Sequence, residues 1–256
     1  MLSLSGRVAL VTGGAKRIGR AVALDLAKEG ADLVIHYNRS VVEAERVADE
    51  VRGFGVRSAV VGADLAGAEK GADLFEQALK AFGTIDLLIN SASIFEESTL
   101  ADVTPEEIHR NIDINALAPL ELCRRLAAHR KERGAHVEAP AASVVNFLDT
   151  RVLDYDRNHL AYHLSKRMLL SLTRITAAEL APEVRVNAVA PGLILPPPGK
   201  DESYLENLKD SNPLRSVGTV EQICAAVRFL VTNEFVTGQV IYVDGGRHMK
   251  GSFYGT

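Results

Sequence analysis

Two rhythms of apolar residues alternate along this chain. Short β-branched runs recur at Arg7–Thr12, Asp32–His36, Ser58–Gly62, Leu87–Asn90, Ser143–Phe147, Arg185–Val189 and Val240–Val243. Runs of this kind, bounded by turn residues, read as strands buried on both faces. Between them lie segments with apolar residues at helical spacing, among them "RIGRAVALDLAKEG", "PEEIHRNIDINALAPLELCRRLAAHRKERG", "LAYHLSKRMLLSLTRITAAELAPE" and "TVEQICAAVRFLVTN". Several end in glycine, which caps helix C-termini in the left-handed conformation. Strand–helix alternation implies parallel strands joined by right-handed crossovers. The expected fold is α/β: a doubly wound parallel sheet of about seven strands with helices on both faces, one domain over residues 1–256. The stretch "PGLILPPPGKDESYLENLKDSNPLR" (191–215) breaks the rhythm. Its proline cluster excludes a helix or a central strand. It reads as a long loop with a short helix, and residues 193–215 are expected to form a substrate lid.

Composition narrows the classes of function. The 256 residues are 47% hydrophobic and 24% charged, as in an ordinary globular core with a solvated surface. A net charge of −4 gives no global field to attract nucleic acid or anionic lipid. No apolar run reaches the ~18 residues a membrane helix needs. The start "MLSLSGRVALVTGG" lacks a charged leader followed by a long apolar core, so the expectation is a cytoplasmic protein. Cys123 and Cys224 sit in apolar helical patterns and are expected to be free thiols. No metal is expected.

Candidate chemistry begins with "VALVTGGAKRIGRAVALDLA", a strand, a glycine turn and a helix. The free N–H groups at such a helix start can bind a pyrophosphate, so a dinucleotide is expected over Gly13, Lys16, Arg17, Ile18 and Gly19. The second strand ends in "LVIHYNRS" (33–40). An NAD-binding site places an acid there for the ribose hydroxyls. Here stand His36, Tyr37, Asn38, Arg39 and Ser40, with Lys16 nearby in the glycine turn. A basic, hydroxylated cluster suits a 2′-phosphate, so NADP(H) is the expected cofactor. Tyr162 and Lys166 lie four apart, on one helix face. A phenol titrates near ~10, and a neighbouring ammonium lowers that value toward the working pH.

The spacing from Thr12 and Gly13 to Gly19, with the Tyr162–Lys166 pair after the fifth strand, resembles the short-chain dehydrogenase/reductase family over almost the whole chain. The family has a further glycine where this chain has Arg17. The resemblance implies a Rossmann-type fold. It also implies that Asp64 and the Leu65 N–H hold adenine, and that the cofactor site includes Asn90, which matches the family segment, and Ala92, where backbone passes close to the ribose. Pro191, Gly192 and Ile194 would hold the carboxamide of the nicotinamide. Asn115 would anchor a water in a proton relay to Lys166. Ser91 and Ser93 depart from the usual asparagine–alanine–glycine pattern after the fourth strand.

Asp149 stands where most of the family has serine. A serine there would hydrogen-bond a substrate carbonyl, whereas an aspartate repels an oxyanion and suits ring nitrogens that gain protons. Arg17, Ser93, Phe95, Asp149 and Tyr162 together resemble the substrate site of pteridine and dihydromonapterin reductases, with Phe95 able to stack on a flat heterocycle. As a structural alternative, Asp149 serves as a helix cap or pairs with Arg151. The resemblance implies an NADPH-dependent reductase of a dihydropterin C=N bond and a homotetramer, its C-terminal tail "GGRHMKGSFYGT" near a subunit boundary. A carbonyl reductase, for example of 3-oxoacyl thioesters, and a non-catalytic NADPH-binding regulator are the alternatives.

Overall fold

The computed structural model describes residues 1–67, 69–134, 141–154, 157–197 and 199–252. The strands are β1 (Val8–Thr12), β2 (Asp32–Tyr37), β3 (Ser58–Gly62), β4 (Leu87–Asn90), β5 (Ala142–Phe147), β6 (Val184–Pro191) and β7 (Val240–Val243). All pair in parallel, in the order β3-β2-β1-β4-β5-β6-β7. Every residue of β1, β4 and β5 is buried, which is why these runs are almost wholly apolar.

Helices α1 (Arg17–Lys28), α2 (Val41–Arg52) and α8 (Val220–Thr232) cover one face. The other face carries α3 (Lys70–Phe82), α5 (Ala118–Glu132) and α6 (Leu160–Glu179), with α4 (Pro105–Ile112) packed on α6. Apolar clusters fill both sides of the sheet among the described residues. Winding runs outward from β1 to β3, then returns to β4 on the other side of β1. The sheet therefore reverses direction at the C-terminal ends of β1 and β4, where ligands of open α/β sheets bind. Among the described residues, no helix is long and apolar enough to cross a membrane.

Two local features differ from the expected pattern. The helical stretch around Asn115 is not one regular helix: a π-helical turn, Asp113–Leu117, separates α4 from α5. Pro119 has no N–H to give the Asn115 carbonyl, so regular helical bonding cannot pass through that point. Strand β6 runs two residues further than expected, to Pro191 in register with Val243. Proline fits because it is the last residue of the strand, and its carbonyl still accepts the Thr150 N–H at 3.1 Å. The stretch after β6 is irregular as read, with the short helix α7 (Glu202–Glu206) and a 3-10 turn at Lys209–Ser211.

Candidate active site

The glycine turn is built by close approach of two strand ends. The Thr12 hydroxyl accepts the N–H groups of Ser91 and Ala92 at 3.0 Å each, which ties the end of β1 to that of β4. Gly13 has φ 64°, and a Cβ on it would stand 3.0 Å from the Ala92 Cα. A Cβ on Gly19 would stand 2.3 Å from the Gly13 carbonyl oxygen. Helix α1 then starts with no capping side chain and no acid in its first turn. Its first N–H groups are thus left for an anion. Arg17 has φ 53°, a left-handed conformation that favours glycine. Its guanidinium donates to the Pro196 carbonyl at 2.8 Å, across to the stretch expected as a lid.

A cavity of about 160 Å³ opens beside this turn. It brings together Gly13, Asn38, Asp64, Leu65, Ala92 and Ser93, all expected site residues far apart in sequence. Tyr37 lies against Gly62, where a Cβ would meet its ring at 2.9 Å. Asp64 accepts the Ala66 N–H at 3.0 Å, which sets the turn after β3. Arg39 and Asn38 are exposed on the rim, with Ser40 half-buried. Lys16 is exposed too and pairs with Glu43 at 2.9 Å.

His36 is a correction. It was expected among the cations facing a 2′-phosphate, but the residue is only 2% exposed. The Gly13 N–H donates to Nδ1 at 3.1 Å, so Nε2 carries the ring hydrogen and donates to the Ala63 carbonyl at 3.0 Å. Burial lowers the pKa of the ring, outweighing the Ala63 carbonyl and Asp64. Neutral His36 pins the glycine turn to the β3 end, leaving exposed Lys16 and Arg39, with half-buried Ser40, as the polar cluster.

The opposite end of the crevice is closed. Tyr162 and Lys166 share the inner face of α6 and are buried. The Tyr162 hydroxyl donates to Asp149 Oδ2 at 3.2 Å. Asp149 Oδ1 accepts the Arg151 N–H at 2.7 Å, so one oxygen shapes the loop after β5 while the other meets the phenol. Burial, and then the charge and hydrogen bond of Asp149, raise the Tyr162 pKa well above the ordinary phenol value, against a smaller pull from Arg151. This overturns the expected direction, in which Lys166 lowers it. The Lys166 ammonium donates instead to the Phe147 carbonyl at 2.8 Å and sits 5.6 Å from the centre of the Tyr162 ring. Burial lowers Lys166 to about 8, with Asp149 opposing.

Asn115 is fully buried and works as a clamp. Its Oδ1 accepts the Ile94 N–H and the Ser93 hydroxyl, each at 3.0 Å. Its Nδ2 donates to the Ile94 carbonyl at 3.1 Å and the Ser165 hydroxyl at 3.0 Å. The side chain has no capacity left for a water, so any relay through this residue uses its main-chain carbonyl. Ser93 accordingly turns its hydroxyl inward, not toward the crevice. Phe95 is half-exposed, its ring edge-on to Tyr162 at 4.7 Å and stacked on His159 at 4.0 Å. Ile194 lines a separate cavity of about 290 Å³ between β7, the start of α8 and the stretch after β6. His159 and Ser165 were missed in the sequence. Ser165 carried one signal, its position three residues after Tyr162. Among the described residues, no cluster of potential metal ligands forms.

The chain belongs to the short-chain dehydrogenase/reductase family of NAD(P)-dependent oxidoreductases. A family model described as Enoyl-(Acyl carrier protein) reductase matches residues 13–248. A short-chain type dehydrogenase/reductase of Picea abies is 36% identical, covering 95% of this chain and 93% of its own. NADPH-dependent aldehyde reductase 2, chloroplastic, of Arabidopsis thaliana is 35% identical, covering 96% of this chain and 95% of its own. Among solved structures, FolM alternative dihydrofolate reductase 1 from Brucella canis, complexed with NADP, superposes with a TM-score of 0.88 at 35% identity. The match covers 99% of this chain and 97% of that one.

Proposed function

We propose that this protein is an NADP(H)-dependent reductase of the C=N bond of a dihydropterin or a folate-like dihydro compound. The hydrogen bond from the Tyr162 hydroxyl to Asp149 carries the reading. The chain fits the cofactor: α1 begins with uncapped N–H groups and no acid, and the turn before it is closed to side chains at Gly13 and Gly19. Lys16, Arg39 and Ser40 on the rim match a 2′-phosphate, and Asp64 and Leu65 line the cavity suited to adenine. Two solved relatives, FolM alternative dihydrofolate reductase 1 from Brucella canis and from Brucella suis, are NADP complexes.

When bound, the nicotinamide supplies hydride. The chain's own part is to govern protons at the acceptor. A C=N bond accepts hydride best when its nitrogen is protonated, and a carboxylate beside that nitrogen favours the positive form. A carbonyl oxygen gathers negative charge, which the same carboxylate opposes. Tyr162 stays a phenol because burial and Asp149 disfavour its anion, so it orients Asp149 by donation. Lys166, at about 8, exchanges its proton near neutral pH and can recharge the site. Phe95, edge-on to Tyr162, offers one face to a flat ring. Arg17 stands at the mouth, joined to the Pro196 carbonyl of the lid, residues 193–215.

A carbonyl reductase is the second reading, favoured by relatives such as the Arabidopsis aldehyde reductase and a 3-oxoacyl-[acyl-carrier-protein] reductase of Staphylococcus epidermidis, 30% identical. The test is NADPH oxidation with dihydrobiopterin, dihydromonapterin, dihydrofolate and an acetoacetyl thioester, by wild type and Asp149→Ser. The carboxylate predicts a loss of ~10²–10⁴-fold in pterin kcat and a falling pterin-to-carbonyl ratio. An unchanged ratio removes the pterin assignment. A regulator without turnover would gain nothing from a buried Tyr162, Lys166 and Asn115. Outward on α6, Leu164, Met168 and Ile175 form an exposed apolar stripe at helical spacing, which supports a homotetramer. A monomer by light scattering at micromolar concentration would contradict it.

A further inference from the structure

Asp244 follows β7 directly and is buried. Its carboxylate receives four donors from two chain segments. Thr150 Oγ1 donates to Oδ2 at 2.5 Å. The His248 N–H donates to the same oxygen at 2.8 Å, and the His248 ring Nδ1 lies 2.9 Å from it. The Gly246 N–H donates to Oδ1 at 2.9 Å. Burial alone would raise the Asp244 pKa, but the hydrogen bonds from Thr150, His248 and Gly246 outweigh it and hold the carboxyl below its ordinary value.

A third segment presses on the same point. A Cβ on Gly192 would stand 2.6 Å from the Asp244 Cα, so only glycine lets the end of β6 pass here. Thr150 is the residue after Asp149, and its own N–H is tied to the Pro191 carbonyl at 3.1 Å. The segment donating from the other side is the C-terminal one. Its His248 ring stacks on Tyr242 at 3.9 Å, and Lys250 Nζ donates to the Asp210 carbonyl of the lid at 2.6 Å. The Leu214 N–H reaches the Gly245 carbonyl at 3.2 Å. One carboxylate thus joins the loop of Asp149 to the segment that straps the lid.

We propose that Asp244 is a positioning residue for the reaction: through Thr150 it fixes the loop that aims Asp149 at Tyr162, and through His248 and Gly246 it makes that aim depend on the docked C-terminal segment. The proposal rests on the reading that Asp149 governs a proton. A charge-assisted bond in a buried junction is strong and directional, as such a task requires.

The test uses Thr150→Val, Thr150→Ser and His248→Ala in the full chain. Two readouts are taken: steady-state kinetics with dihydropterin, and amide hydrogen exchange over residues 149–152. Thr150→Val is expected to lower kcat by roughly tenfold, the size expected for losing a bond to a charged group, with KM for NADPH unchanged. Exchange over 149–152 should quicken by a similar factor while β5 stays protected. Thr150→Ser keeps the hydroxyl and should restore both. His248→Ala should shift both in the same direction by less. In an Asp149→Ser background, Thr150→Val should cost little further kcat, because its effect passes through Asp149. Wild-type exchange at 149–152 in Thr150→Val, or an undiminished kcat loss in that background, overturns the proposal. Wild-type turnover by Asp149→Ser alone would instead overturn the pterin reading, and the exchange readout would still decide whether Asp244 fixes the loop.

Discussion

The two ends of the crevice are built on opposite principles. At the proton end, Tyr162, Lys166 and Asn115 are 7%, 2% and 0% exposed, and each polar group is already engaged with protein. At the phosphate end, Lys16 and Arg39 stand in solvent, and Lys16 pairs with Glu43 at the surface. The buried end is preorganised: its electrostatics are set by burial and fixed dipoles, at a cost in desolvation. The exposed end is a loose cluster that a phosphate would complete. Chemistry that needs a proton at one atom calls for the first arrangement. Recognition of a doubly charged group tolerates the second.

The comparison breaks most directly at Tyr162. Tyr162→Phe keeps the ring that packs on Phe95 and removes the hydroxyl that donates to Asp149. Turnover of every substrate is expected to fall by ~10²–10⁴-fold with NADPH affinity retained. A loss under tenfold in kcat would mean that the buried end does not govern protons. The next largest effect belongs to the other end. Arg39→Asp removes a cation and installs the acid that NAD sites carry. Losing a charge-assisted bond costs about 1.5–3 kcal/mol, so KM for NADPH should rise by roughly 10–100-fold while kcat holds. Added salt should mimic this variant weakly, because exposed charges are screened. Equal wild-type efficiency with NADH and NADPH would refute the assignment.

A third effect separates stability from activity. Burial lowers Lys166 to about 8, whereas the unfolded chain titrates it near ~10.5. The unfolded state therefore binds more protons between those values, and the native state gains relative stability as pH rises through them. Below about 8 the full penalty of a buried ammonium is present. Lys166→Met removes that penalty and leaves the Phe147 carbonyl without its ammonium donor. We expect a higher Tm at pH 7, by a few degrees, with a gain that shrinks toward pH 10 and turnover that collapses. A Tm gain independent of pH would show that packing, not charge, is what methionine changes.

The strands were legible because apolar runs between turn residues report burial directly, and β3, β4 and β7 have the bounds read from them. The glycine turn and the Tyr162–Lys166 pair were legible because spacing alone puts them on one turn and one helix face. Partnership was not. His36 looks like a member of a basic cluster until strand pairing sets its ring between Gly13 and Ala63. The direction of the Tyr162 shift depends on burial and on a contact across 13 residues, neither of which periodicity encodes. Asn115 hides its clamp for the same reason: its partners come from the loop after β4 and from α6, and only Pro119 hints at the break in its helix.

The smallest effect is expected at Arg17, the residue between the two ends. Its φ of 53° is the left-handed conformation, which costs an L-residue on the order of 1–2 kcal/mol. Glycine has no such cost, but it is freer in the unfolded chain by roughly 0.5–1 kcal/mol. The bond to the Pro196 carbonyl is exposed and contributes little. These terms nearly cancel, so Arg17→Gly should change Tm by no more than about 2–4 °C. Arg17→Ala loses the same bond and keeps the strain, so it should be less stable than Arg17→Gly by about 1 kcal/mol. That order is the reverse of a helix interior, where alanine exceeds glycine. Both variants free the stretch after Pro196, so trypsin should cut at Lys200 and Lys209 faster than in wild type. If Arg17→Ala proves the more stable variant, the left-handed turn at Arg17 is not what holds this corner. If trypsin cuts both variants at the wild-type rate, the bond to Pro196 does not restrain the stretch that follows it.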